Sequence, residues 1–233
     1  MSISHSLVRC LYNGEVQLTL DEGHPGDTQR SESTTRHERT GIKMGKIIMQ
    51  QFITLDGVMQ APGDLYEFEY GGWQRSYVGE EHLALIVEQA HGVEALLLGR
   101  KTYESFAATW PSAIGMRGLA DRMNCMSKFV ASRTLSHAEW NATIIHGDAA
   151  EEAAKLKQEF SGDLLVVGSG DLAQTLMKHH LIDEYRLWIH PVILGRGQRL
   201  FREGIEKAAM RLMDAKTLIT GVAIHIYQPE IGN

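Results

Sequence analysis

The chain has 233 residues, 23 Lys and Arg against 29 Asp and Glu, and a formal net charge of −6. With 43% hydrophobic and 22% charged residues, it has a globular composition and enough length to bury a sizeable core. The acidic balance argues against phosphate-backbone binding, and neither a membrane-length apolar run nor the continuous apolar stretch of a secretory signal is present. Two cysteines, Cys10 and Cys125, are too few and too far apart for a disulfide framework or a cysteine zinc site, which fits a reducing cytoplasm.

Residues 21–43 hold a single aliphatic side chain, Ile42. A segment that polar cannot bury enough surface to offset the entropy of ordering it. The sequence therefore predicts a disordered extension over residues 1–43 and one folded domain over 44–233, where MGKIIMQQFITLDG begins. The first strand is expected over 46–55. A long loop, 61–77, follows and carries Tyr66, Phe68, Tyr70, Trp73 and Tyr77, rings that suit a planar heterocycle. Next come a helix over 80–91, a strand over 95–98, a helix over 102–108 and strands over 128–131 and 143–146. A helix over 149–160, a strand over 164–167, a helix over 172–179 and strands over 184–194 and 222–228 complete the pattern. Short, continuously apolar strands such as ALLL and LLVV belong to a sheet covered on both faces. The last strand alternates, with Val222, Ile224 and Ile226 on one face, as an antiparallel strand at or near a sheet edge does. The fold class is α/β: a three-layer sandwich with a mixed, mostly parallel central sheet and an antiparallel C-terminal strand.

Three strand ends carry groups that hold phosphate. In ALLLGRKTYESF an apolar strand runs through Gly99, Arg100, Lys101 and Thr102 into a helix, so unpaired helix N–H groups and two cations lie together. In LLVVGSGDLAQTLM the residues Gly168, Ser169, Gly170, Asp171, Leu172 and Ala173 match G-x-G-x-x-A between a strand and a helix. Too little chain follows to complete a dinucleotide-binding domain of the usual kind, and the next strand runs into Leu187-Trp188-Ile189-His190, with no carboxylate where a ribose 2′-OH would be bound. Ser132, Arg133 and Thr134 after the strand at 128–131 form a hydroxyl–guanidinium–hydroxyl cluster suited to a phosphate monoester. A pyrophosphate and a 2′-phosphate would occupy all three, which points to NADPH as cofactor.

LLLGRKTYESF resembles the strand and helix of dihydrofolate reductase that carry its Gly-Arg-x-Thr cofactor motif, and VVGSGDLAQTL resembles that enzyme's pyrophosphate loop. FITLDGVM and LIDEYRLWIHPVILGRGQRLF are similar to the C-terminal reductase domain of the bifunctional riboflavin-biosynthesis deaminase/reductase, and Tyr70-Gly71-Gly72-Trp73-Gln74 to its stand-alone bacterial relatives. The resemblance covers residues 46 to about 228 and implies a dihydrofolate-reductase-like fold, NADPH-dependent hydride transfer to a C=N or C=O, and a homodimer. No zinc-deaminase signature is present, and Val167 stands where the riboflavin enzyme has a glutamate before its glycine loop. Three readings follow: the pyrimidine reductase step of riboflavin synthesis, reduction of dihydrofolate, and a non-catalytic nucleotide-binding module.

Reduction needs a positioned proton donor. Asp56, at the end of the first strand beside Gly57, and Glu81, at the start of the first helix, are the candidate catalytic acids. Thr54, Trp73 and Tyr103 are the candidate substrate contacts. Eleven histidines show no metal-ligand spacing, so no metal is expected, and they read as surface or core residues. Cys125 reads as a buried small hydrophobe.

Overall fold

A computed structural model describes residues 44–230, so the extension expected over 1–43 lies outside the described residues. Eight strands form one sheet in the order β4-β3-β2-β5-β1-β6-β8-β7. These are β1 (Ile47–Thr54), β2 (Val93–Gly99), β3 (Ser127–Ala131), β4 (Ala142–Ile145), β5 (Asp163–Val167), β6 (Glu184–His190), β7 (Met210–Thr217) and β8 (Ala223–Pro229). The strands β4 through β6 in that order are parallel, and β8 and β7 add to them antiparallel. The α-helices are α1 (Glu80–Gln89), α2 (Arg100–Thr109), α3 (Leu119–Cys125), α4 (Ala149–Glu159) and α5 (Gly170–Lys178).

Successive side chains of a strand point to opposite faces, so strands covered on both sides must be apolar throughout. Residues 95 to 98 of β2 are fully buried for this reason. Ala95, Leu97, Leu164 and Val166 face α4 and α5 through Ala153, Leu156, Leu172 and Leu176. Leu96, Leu98, Leu165 and Val130 face the other layer, built from α2 and α3 with Ile86 and Val87 of α1. The helices therefore change sides between two neighbouring strands: β2 feeds α2 on one face and β5 feeds α5 on the other. The crevice outside the carboxyl ends of such a pair is where open α/β sheets bind ligands.

Three differences from the sequence reading have local causes. Strand β6 stops at His190 because Pro191 follows, with Val192 N–H turning back to the His190 carbonyl at 2.8 Å. Helix α3 has no counterpart in the sequence pattern; its seven residues bury Leu119, Ala120 and Met123, too short a stripe to stand out. Strand β7 has none either, because nearly all its residues are exposed and it lacks an apolar face. It occupies the sheet edge with Arg211, Asp214 and Lys216, charges of the kind that blunt an edge, and so places β8 one strand inward. Cys125 is half-buried, not buried. Among the described residues, no helix is long and apolar enough to cross a membrane.

Lys128 of β3 is fully buried. Its Nζ donates to the Asn124 carbonyl at 3.2 Å and lies 3.9 Å from the centre of the Trp140 ring. Burial pushes its pKa down to about 8, so the folded state gives up the proton before the unfolded chain does. The resulting penalty on the native state is present at pH 7 and fades as the pH rises from about 8 towards the ordinary lysine value of 10.5. The Lys128→Met variant should therefore be more stable by about 1 kcal/mol at pH 7. Urea denaturation at a series of pH values should show that advantage shrinking above pH 8; an advantage independent of pH would contradict burial of the charge as its origin.

Candidate active site

The carboxyl ends of β3, β2, β5 and β1 open on a single cleft of about 1310 Å³. It is lined by Gly99, Arg100, Lys101 and Thr102 after β2, by Ser132, Arg133 and Thr134 after β3, and by Gly168, Ser169, Gly170, Asp171 and Leu172 after β5. The structure thus brings the three predicted phosphate stations together on adjacent strands. Ala173 is the exception: it is fully buried and packs in the core beneath α5.

The loops after β2 and β5 are sewn to each other. Gly99 N–H donates to Ser169 Oγ at 2.9 Å, and Ser169 N–H donates to Thr102 Oγ1 at 2.8 Å. Ser169 Oγ donates in turn to the Val167 carbonyl at 3.0 Å, and Gln51 Nε2 donates to the Gly168 carbonyl at 2.7 Å. Serine is a preferred N-cap, but this one, at φ 53°, spends its hydroxyl on the neighbouring strand and gives α5 no side-chain cap. Helix α2 also starts without one, behind Gly99. By contrast, Asp148 caps α4 by accepting from the N–H groups of Ala150 and Glu151 at 2.9 and 3.1 Å. Two helix N-termini in the cleft therefore keep first-turn N–H groups available to a ligand. Glycine is required at 168: φ is 57°, and a Cβ would come within 3.0 Å of Thr102 Oγ1.

The charges nearby are partly committed. Arg100 Nη1 holds both carboxylate oxygens of Glu104 at 3.0 and 2.9 Å, and Arg202 Nη1 lies 2.8 Å from Asp171 Oδ1. Ser132 Oγ accepts from the N–H groups of Thr134 and Leu135 at 3.2 and 2.9 Å, which shapes the turn presenting Arg133.

The candidate acids are placed elsewhere. Asp56 accepts from Thr54 Oγ1 at 2.6 Å, Gly195 N–H at 2.8 Å and Leu194 N–H at 3.2 Å, with Arg199 Nη2 at 3.6 Å. Slight burial acts to raise its pKa, yet the Thr54 hydroxyl and the Gly195 and Leu194 amides hold the carboxyl below the usual aspartate value. Such a group is an ionised loop anchor and a poor proton donor. Glu81 accepts from Ile219 N–H at 3.0 Å, lies 3.7 Å from Lys216 and does not line the cleft. The predicted substrate contacts are structural as well. Thr54 Oγ1 accepts Val58 N–H at 2.9 Å while bonding Asp56; Trp73 is buried with Nε1 on the Gln60 carbonyl at 2.9 Å. Tyr103 is buried with its hydroxyl exchanging hydrogen bonds with the Glu139 backbone at 3.1 and 2.8 Å. Of the five aromatics in the 61–77 loop, Tyr66 alone lines the cleft.

Sequence reasoning missed the opposite wall, formed by β1 and α1. Gln50, Phe52, Gln74, His82, Leu83 and Ile86 line it. His82 is 1% exposed, and its Nε2 lies 3.2 Å from Gln74 Nε2. Burial, reinforced by neighbouring His190, pushes the His82 pKa down to about 4, so its imidazole is neutral near pH 7. Two adjacent glutamines inside an otherwise apolar strand, Gln50 and Gln51, were the visible signal.

The sequence model of the RibD C-terminal domain matches residues 45–224. The chain belongs to that family. It is 25% identical over 189 residues to the uncharacterised protein YyaP of Bacillus subtilis (strain 168), covering 80% of this chain and 96% of YyaP. In fold it is similar to a protein assigned to riboflavin biosynthesis in Shewanella sp. PV-4, with a TM-score of 0.60, 22% identity, and coverage of 79% of this chain and 99% of that one. Dihydrofolate reductase from Enterococcus faecalis, solved with NADP(H), superposes with a TM-score of 0.50 and 14% identity over 80% of this chain and 97% of that enzyme. The RibD-type chain thus has a dihydrofolate-reductase-like fold.

The sewn loops give a direct test. In Ser169→Ala, the Gly99 N–H loses its acceptor, and stability should fall by about 1–2 kcal/mol. Chemical denaturation measures this, and an unchanged midpoint would show that the hydroxyl does not hold the two strand ends together.

Proposed function

We infer that the protein is an NADPH-dependent reductase that delivers hydride to a C=N or C=O group of a small heterocyclic or sugar-like molecule. The observation that carries this reading is the pair of uncapped helix N-termini, α2 and α5, sewn side by side at the point where the helices change faces. Backbone N–H groups at such ends bind phosphate oxygens, and both ends line the cleft. The residues present therefore fit a dinucleotide. Its pyrophosphate would be held by the first turns of α2 and α5, and its 2′-phosphate by Ser132, Arg133 and Thr134. The family membership and the NADP(H) carried by the Enterococcus enzyme support the same choice.

When bound, the dinucleotide supplies the hydride. The chain's own part is to hold it across the sheet, to place the acceptor against the wall of β1 and α1, and to admit a proton. Asp56 stays ionised on its loop amides, and His82 is neutral, so neither supplies that proton near pH 7. The nearest nameable reaction is reduction of 5-amino-6-(5-phosphoribosylamino)uracil in riboflavin synthesis.

Titration with NADPH and NADH separately tests the assignment. The unaltered protein should favour NADPH, and Arg133→Ala should weaken NADPH about tenfold or more while leaving NADH nearly unchanged. Equal affinity for the two cofactors, or an Arg133→Ala loss shared by both, would refute it.

A further inference from the structure

The turn between α2 and α3 is wound against the preference of L-residues. Gly115, Met116, Arg117 and Gly118 have φ of 77°, 51°, 55° and 82°, a left-handed run in which the two inner residues carry side chains. A side chain at such a φ crowds its own carbonyl, so the conformation persists only where the surroundings impose it. Here Arg117 Nη1 donates to Glu80 Oε2 at 2.9 Å, which ties the turn to the first residue of α1. Met116 lines the cleft, and Arg117, spent on Glu80, does not.

Met116 completes an apolar compartment. Ile86 of α1, Phe106 of α2, Trp110, and Leu119 and Met123 of α3 line the same cleft and belong to one apolar cluster. Phe106 and Trp110 stand edge to face with 6.1 Å between centroids. Ile86, Phe106 and Trp110 are only half-buried and Met116 is 39% exposed, so the compartment keeps apolar surface that the protein does not cover. Concave apolar surface is where the apolar part of a small molecule seats. Of the described residues that line the cleft, none from 78 to 90 or from 102 to 126 carries a charge near pH 7. The cations that line it are Arg100, Lys101 and Arg133 at the strand ends and the exposed Arg75.

We propose that Met116 is a specificity-determining residue of the cleft, and that the compartment it completes selects an acceptor carrying an aliphatic or aryl substituent. The proposal rests on the reductase reading of the cleft and narrows its substrate class. With a dinucleotide at the strand ends, the compartment is the part of the cleft left to the acceptor. A phosphorylated substituent, such as the phosphoribosyl group of 5-amino-6-(5-phosphoribosylamino)uracil, finds no cation there. Methionine suits the place because its unbranched, polarisable thioether adapts to substituents of different shape. The left-handed turn fixes where that side chain enters the cleft.

The experiment is a ligand-observed NMR titration of the full chain, with and without NADPH, using butan-2-one and 4-phenylbutan-2-one, methyl ketones that differ by a phenyl group. The unaltered protein should bind the phenyl compound about tenfold more tightly. With NADPH bound, ribose 5-phosphate should not displace it. Met116→Lys should cut the preference about fivefold, and Met116→Leu should keep it. Met116→Gly separates the site from the fold: glycine is at ease at φ 51°, so the thermal midpoint should hold or rise while the preference falls about fivefold. Failure to bind either ketone, equal affinity for both, displacement by ribose 5-phosphate, or a ratio unchanged in Met116→Lys and Met116→Gly would overturn the proposal. Absence of NADPH binding, with the ketone ratio and its dependence on Met116 intact in the cofactor-free protein, would instead count against the reductase reading.

Discussion

The cleft depends on how the Ser169 hydroxyl is spent. Strands β2 and β5 are neighbours whose helices leave on opposite faces, so the loops beyond them diverge and nothing in the sheet itself holds their tips together. Ser169 bridges them by accepting Gly99 N–H and donating to the Val167 carbonyl, and Thr102 returns the contact by accepting Ser169 N–H. The bridge has a second consequence. A serine used across strands cannot cap its own helix, so α5 opens with bare N–H groups beside those of α2. One arrangement therefore both closes the switch point mechanically and leaves the positive ends of two helix dipoles facing the cleft.

The two ends of the cleft follow different electrostatic rules. Where β3, β2 and β5 end, the cleft is lined by helix N-termini and by cations at partly exposed positions, which need not be desolvated to act. Where β1 meets α1 the wall is buried, and an ionised group there would lose its hydration. Carboxamides and a neutral histidine are what remains. Burial itself keeps His82 uncharged, with a pKa pushed down to about 4. The polar chemistry of this wall is thus hydrogen bonding without charge, and it stays the same across the neutral range.

The architecture was legible in the sequence wherever an element touched both layers. Continuous apolar runs at 95–98 and 164–167 marked doubly covered strands, and strand-end glycines, hydroxyls and cations marked the loops that line the cleft. What escaped had no such signal. Strand β7 is exposed along almost its whole length and is held by pairing to β8, information that lies in another segment of the chain. The roles of Asp56, Glu81, Trp73 and Tyr103 depended on partners outside their own elements: Gly195, Ile219, Gln60 and Glu139. Residue type marked them as capable of chemistry, but hydrogen-bond partners decide whether that capacity is free.

Asp56 shows how a residue can serve the site without touching it. Its carboxylate ties the end of β1 to the loop after β6 through Leu194 and Gly195, while the Arg199 Nε–H donates to the Asp56 carbonyl at 2.8 Å. Gln198 N–H donates to Gln60 Oε1 at 3.1 Å and its carbonyl accepts Met59 N–H at 2.8 Å, so the two segments close on each other. Gln60 in turn accepts from Trp73, which roots the segment carrying Gln74. A chain of local bonds thus runs from the strand-end aspartate to a cleft carboxamide. The Thr54-Leu55-Asp56-Gly57 strand end and the Gly71-Gly72-Trp73-Gln74 segment, on either side of residues 58–70, are parts of one support, and the aspartate must remain ionised for that support to hold.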